Sequence, residues 1–272
     1  MSALRLAVRL GVITVTATAL ILPAAAVATA STATPAHKGI LPPKNPSRSL
    51  KPNPFFLASS LCAHGNDGQR CNSLILKATT RARKILEKMG AMKFAVAAYD
   101  KLTPVEQLFV TVNLERVARG RAPAVVLTRS LDKVAQEGAA KDADPNLQMV
   151  PNPLPGGGRF IGLGGNWAGG WDNPLGANYA WMYDDGPGSD NGDCTKTNHS
   201  GCWGHRDNIL GTFSTKSRCG GQQSELAMGA GHVTSGKAFG DSETELLAGV
   251  CGPTPTDVVM TWAKAKRLLH IK

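Results

Sequence analysis

Trp203-Gly204-His205-Arg206-Asp207-Asn208-Ile209-Leu210 is the stretch on which the reading of this 272-residue chain turns. Its histidine closes a Cys194-x4-His199-x2-Cys202-x2-His205 array, a spacing that suits zinc when the sulfurs are thiolates. The amino terminus argues that they are not. Arg5 and Arg9 precede an uncharged run from Gly11 to Ala30 that closes on Ala28-Thr29-Ala30, the pattern of a signal peptide (residues 1–30) removed near Ala30. An uncleaved anchor is the alternative, although Pro23 interrupts the run and Ala and Thr dilute it. Export predicts a secreted, extracellular protein and an oxidising setting, in which Cys62, Cys71, Cys194, Cys202, Cys219 and Cys251 form disulfides. Sequential pairing is expected, because the first two gaps are short and the third joins a loop to a late strand.

The composition, 42% hydrophobic and 18% charged, is globular and excludes a disordered chain, a collagen and a multispanning membrane protein. The net charge of +10 invites a nucleic-acid reading that its distribution removes. Residues 1–36 carry +2, 37–104 carry +9, 105–260 carry −5 and the last twelve carry +4. The basic segment holds only Phe55, Phe56, Phe94 and Tyr99, none arrayed along a basic helix as nucleic-acid stacking requires. No nucleic-acid partner is expected. An anionic cell-wall polymer or membrane surface contacted through residues 38–93 suits this charge, which would associate the protein with the cell envelope. A merely solvated charged face is the plainer alternative.

Residues 31–54, with Pro35, Pro42, Pro43, Pro46, Pro52 and Pro54, read as a Pro-rich basic linker. Residues 55–102 read as a disulfide loop and a basic helical extension. There Leu74, Ile75, Ala78, Ala82, Ile85, Leu86 and Met89 recur at helical spacing, with Arg81, Arg83, Lys84 and Lys88 on other positions. Thr103-Pro104-Val105-Glu106 is a helix start with a capping box, and predicts a stripe of Val105, Leu108, Phe109, Val112 and Val117. Further helices are expected from Ser130 to Ala143 and after Asn173-Pro174. Strands are expected at 159–164, 226–233 and 245–251, the last two antiparallel. The mixture predicts an α+β fold over residues 103–252, with 253–272 as a basic carboxy-terminal tail.

Nucleophile-elbow, zincin, Walker and dinucleotide motifs are absent. Asp184, Asp185, Asp190, Asn191 and Asp193 crowd one loop and offer oxygen ligands of the kind calcium takes, but the EF-hand order and its twelfth-position Glu are missing and a turn is the simpler reading.

Three blocks remain. Asn113-Leu114-Glu115-Arg116 lies on the capped helix, Gly164-Gly165-Asn166-Trp167-Ala168 follows a strand, and Trp181-Met182-Tyr183-Asp184 precedes the Gly-His-Arg-Asp-Asn-Ile-Leu stretch. In this order they resemble the CAP superfamily of cysteine-rich secretory, antigen 5 and pathogenesis-related proteins, in its bacterial SCP-like branch. The resemblance covers about residues 103 to 252. It implies an α-β-α sandwich with an antiparallel central sheet and an open cleft, in which two His and two acidic residues bind a divalent metal in some members.

Carried over residue by residue, the resemblance makes His205 the histidine of the Gly-His-Arg block and Asp184 the acid of the Trp-x-x-Glu helix. Together they are the expected catalytic and metal-binding pair. Asn166, Trp167, Trp181 and Asp144 are expected to line the cleft. Gly165 stands where the family has a Glu, and the second His has no counterpart. The tetrad is eroded, which favours an extracellular binding or effector module over robust catalysis. The alternatives are a hydrolase of wall or protein substrates, with His205 as general base oriented by Asp184, and a carrier of lipid or small apolar ligands. In a fourth reading His205 is only structural. Asn113 and Arg116 are expected to make structural contacts.

Overall fold

The structure is a computed structural model that describes residues 68–272 apart from 172, 190, 196, 214 and 237. The signal segment, the Pro-rich linker, Cys62 and the rest of residues 55–67 lie outside the described residues.

Helix α1 (Gly68–Ala82) continues into a π-helical turn, Arg83–Glu87. Ile75, Ala78 and Ala82 are buried as the periodicity predicts, but Ile85 is exposed and Arg83 is buried. The π-turn explains the exchange, because its wider repeat shifts the phase of every later side chain. After the short α2 (Val96–Tyr99), α3 (Pro104–Ala118) begins as expected, with Thr103 and Glu106 closing a capping box. Helix α3 is buried almost all round, including Thr111, Asn113, Glu115 and Arg116, whereas Val117 is 43% exposed. Helix α4 (Arg129–Ala139) starts at the Thr128 cap, and α5 (Pro174–Tyr183) at the Asn173 cap. Helices α6 (Gly204–Leu210) and α7 (Trp262–Leu269) follow.

Five strands form one mixed sheet in the order β2-β4-β3-β1-β5: β1 (Val126–Thr128), β2 (Arg159–Gly169), β3 (Ser224–Gly236), β4 (Gly240–Cys251) and β5 (Val258–Thr261). The pairs β2–β4, β3–β4 and β1–β5 are antiparallel, but β1–β3 is parallel, so the expected all-antiparallel sheet is corrected to a mixed one. The parallel pair arises because α4 and β2 intervene between β1 and β3 in the chain. Alternating side chains enter opposite cores. Met228 and Leu247 pack with α1, α3, α5 and α7, whereas Ala227, Leu246 and Ala248 pack with Leu131, Val134 and Ala135 of α4.

Two flanking segments belong to the fold. Residues 253–272, expected as a tail, supply edge strand β5 and helix α7, whose Trp262, Ala265 and Leu269 are buried. Residues 68–102 share the core with α3 and α5. They are also held by ions: Arg83 donates to Glu115 (2.6 Å), Arg119 pairs with both Glu115 and Glu87, and Arg206 donates to Glu87 (2.5 Å). Cys194–Cys202 and Cys219–Cys251 are disulfides, in the expected pairing, and Cys71 is also disulfide-bonded. Among the described residues, no helix is long and apolar enough to cross a membrane.

Candidate functional site

Helix α5 ends at Tyr183, and the chain turns at Asp184 and again at Gly186-Pro187. The turn carries Asp185 inward, where it is 1% exposed. Its Oδ1 accepts from His205 Nδ1 and from Asn191 Nδ2, both at 2.6 Å, and its Oδ2 accepts from the Arg206 backbone N–H at 3.2 Å. Trp203 caps α6 in the left-handed region (φ 65), a strained conformation for so bulky a residue. Its N–H bonds Asp185 O at 2.8 Å and its indole covers Gly186, where a side chain would not fit. The adjacent Cys194–Cys202 disulfide closes the same loop.

His205 lines a cleft of about 280 Å³ together with Asp144, Asp184, Asp185 and Asp193. Its Nε2 makes no hydrogen bond to a described residue. Trp167, Trp171, Trp181 and Phe239 supply aromatic walls. Two of the indoles are fixed, as Trp167 Nε1 donates to Ser242 Oγ (2.8 Å) and Trp181 Nε1 to Trp167 O (3.0 Å). Phe239 meets Trp167 edge-on at 5.3 Å.

Burial pushes the His205 imidazolium towards neutrality, but the hydrogen bond and charge of Asp185, with Asp144 and Asp193 beyond, hold its pKa above the ordinary value. Burial raises the Asp144 carboxyl, and the opposing pull of His205 does not cancel it. Beneath α6, Glu245 is fully buried and burial pushes its carboxyl up to about 8 against the pull of Arg116 and His205.

Of the residues expected at the site, His205, Asp184, Asp144, Trp167 and Trp181 converge on the cleft. The role given to Asp184 falls to its neighbour, since the carboxylate that orients His205 is Asp185. Asn166 is wholly buried under α6 rather than lining the cleft: its Nδ2 donates to His205 O (2.9 Å) and Glu245 Oε1 (2.5 Å), and its Oδ1 accepts from Asn208 (2.9 Å). Arg116 donates to the Ile209 and Gly211 carbonyls at the end of α6, and Asn113 exchanges two hydrogen bonds with Ala124, both structural contacts. Among the described residues, no three His, Cys, Asp or Glu side chains gather to hold a metal, so the divalent ion expected at His205 and Asp184 gains no support from a wider ligand set. A second acid–histidine pair, His232 and Glu243 (3.3 Å), faces the same side of the sheet. In the sequence Asp185 has only a place in the acidic loop, and Glu245 and this pair are not anticipated. The doubled Asp184-Asp185 and the alternating Ser242-Glu243-Thr244-Glu245 are the signals that mark them.

The site can therefore hold a ligand between the Trp167 indole and the carboxylates, and can accept or donate a proton at His205 Nε2. No family model matches the chain, and neither does any curated protein or solved structure.

Proposed function

We propose that the chain is an exported, CAP-type α-β-α module that works by binding, and that its cleft takes a ligand bearing amino or other donor groups. The observation that carries this reading is the half-buried Trp167 indole, held by its bond to Ser242 and backed by the buried Trp181, beside a wall of four aspartates. Aromatic faces and carboxylates both favour cations and polar donors. The test is calorimetric titration with amino-sugar oligomers and with lysine- or arginine-bearing peptides, against their N-acetylated or acidic counterparts. The cationic members should bind, and Trp167→Ala and Asp193→Asn should each weaken binding by about tenfold. Preference for the neutral or acidic members, or unchanged binding by Trp167→Ala, would overturn it.

The 2.6 Å bond between Asp185 and His205 favours a second reading, a hydrolase in which His205 Nε2 activates water and Asp185 fixes the imidazole tautomer. In a screen of wall glycans and peptides this reading requires turnover lost in His205→Ala and reduced in Asp185→Asn. Turnover that survives His205→Ala refutes it. Retention at an anionic envelope through the basic amino-terminal residues accompanies either reading, and salt-sensitive adsorption is its signature.

A further inference from the structure

A second concavity shares no residue with the cleft. It is a pocket of about 550 Å³, within the range of roughly 300–1,000 Å³ typical of small-molecule sites. Segments far apart in sequence build it: Arg83 of the π-turn with the stretch 91–95, the end of α3, and Trp262 at the start of α7 with the residues that follow its end. Ala95 N–H donates to Leu269 O at 2.9 Å, which ties the first of these to the last. The pocket thus depends on the two flanking segments that the fold incorporates.

Its walls are apolar, formed by Met92, Phe94, Leu114, Val117, Trp262 and Ile271. Val117 is left 43% exposed on a helix otherwise largely enclosed. Four lining residues are basic and none of the described ones is acidic. Arg83 is already engaged, donating to Glu115 (2.6 Å) and to Gly90 O (2.9 Å). Lys93, His270 and Lys272 form no ion pair with a described residue. A purely apolar ligand would leave Lys93 and Lys272 without a function, and a hydrophilic polyanion would leave the walls without one. An amphiphile with one anionic end suits both.

We propose that this pocket binds a monomeric long-chain carboxylate, its acyl chain against Val117, Phe94 and Trp262 and its carboxylate beside Lys93 and Lys272. The proposal is independent of the cleft reading.

Trp262 in the wall supplies the assay. Delipidated full-length protein is titrated with dibrominated stearate, whose bromines quench an indole only at contact. Saturable quenching is expected, about tenfold weaker in affinity in Val117→Glu and severalfold weaker in Lys93→Glu, an exposed change that leaves the core untouched. Trp262→Phe should remove the quenching while calorimetry still detects binding. Dibrominated stearyl alcohol should bind more weakly than the acid. Four results would overturn the proposal: equal affinity for the alcohol, affinity unchanged in both Val117→Glu and Lys93→Glu, quenching abolished by Trp167→Phe instead of Trp262→Phe, or quenching only when brominated phosphatidylcholine vesicles replace the monomer. The Trp167→Phe result would assign the lipid to the cleft, and the vesicle result would assign the surface to a bilayer.

Discussion

Nδ1 of His205 and Oδ1 of Asp185 stand 2.6 Å apart, joining the first turn of α6 to the residue two places beyond α5. Removing the carboxylate charge leaves burial as the largest influence on the imidazole. In Asp185→Asn its pKa should fall below 6.5, whereas in Asp184→Asn it should stay elevated, as followed by NMR titration of the His205 ring. The folded-state His205 pKa is raised, so the pair's contribution to stability is present below pH 6.5 as long as Asp185, whose own carboxyl burial raises, stays ionised, and it fades as pH rises through the folded His205 value. That fade should disappear in Asp185→Asn, with a loss of about 1–3 kcal/mol just below pH 6.5 in denaturant unfolding.

Local chemistry made some elements legible and long-range geometry hid others. The start of α3 needs only Thr103, Pro104 and Glu106, all within one turn, and the Asn173 cap is equally local. The resemblance places the acid at Asp184, three residues after Trp181, but α5 stops at Tyr183 and it is Asp185, beyond the turn, that points inward. Glu245 meets Asn166 only through the register of β2 on β4, which no local pattern records. The π-turn at Arg83–Glu87 likewise leaves no periodic signature, so a buried arginine passed as a solvated one.

Glu245 should dominate the alkaline limb of stability. Its pKa is pushed from 4.5 up to about 8, so its contribution is fully present below pH 4.5 and lost as pH rises through about 8. Glu245→Gln keeps an oxygen for Asn166 Nδ2 and removes the titration. Thermal melts from pH 5 to about pH 9 should show a falling melting temperature in the parent and a flatter profile in the variant. Equal slopes in the two proteins would exclude Glu245 as the source.

The ionic cluster makes residues 68–102 inseparable from the remainder. Glu115→Ala leaves Arg83 and Arg119 facing each other without their shared carboxylate, and should cost about 3–5 kcal/mol in urea unfolding. Arg119 and Arg206 outweigh burial and hold the Glu87 carboxyl below 4.5, so its contribution is present above pH 4.5 and lost as pH falls through the lower, folded value. A chain begun at Thr103 would expose the surfaces that Ile75, Ala78, Ala82 and Tyr99 cover. Such a chain should give a broad, weakly cooperative melt, and a sharp transition like that of the parent would contradict this account.

Gly231 sets how closely α4 approaches the sheet. A Cβ there would lie 2.5 Å from the Gln136 backbone nitrogen and 2.6 Å from the Ala135 carbonyl carbon, both backbone atoms that cannot swing aside. The same approach lets Thr244 Oγ1 donate to Ala135 O at 2.6 Å and Gln136 Nε2 donate to His232 O at 2.9 Å. Gly231→Ala must therefore push α4 away and stretch both bonds, with an expected loss of about 1–3 kcal/mol in denaturant unfolding. Because α4 packs on the sheet face opposite His205, the imidazole titration should be nearly unchanged. A large shift in that titration would mean that the two faces are coupled through β3 and β4, and an undiminished stability would mean that the helix–sheet contact is looser than drawn.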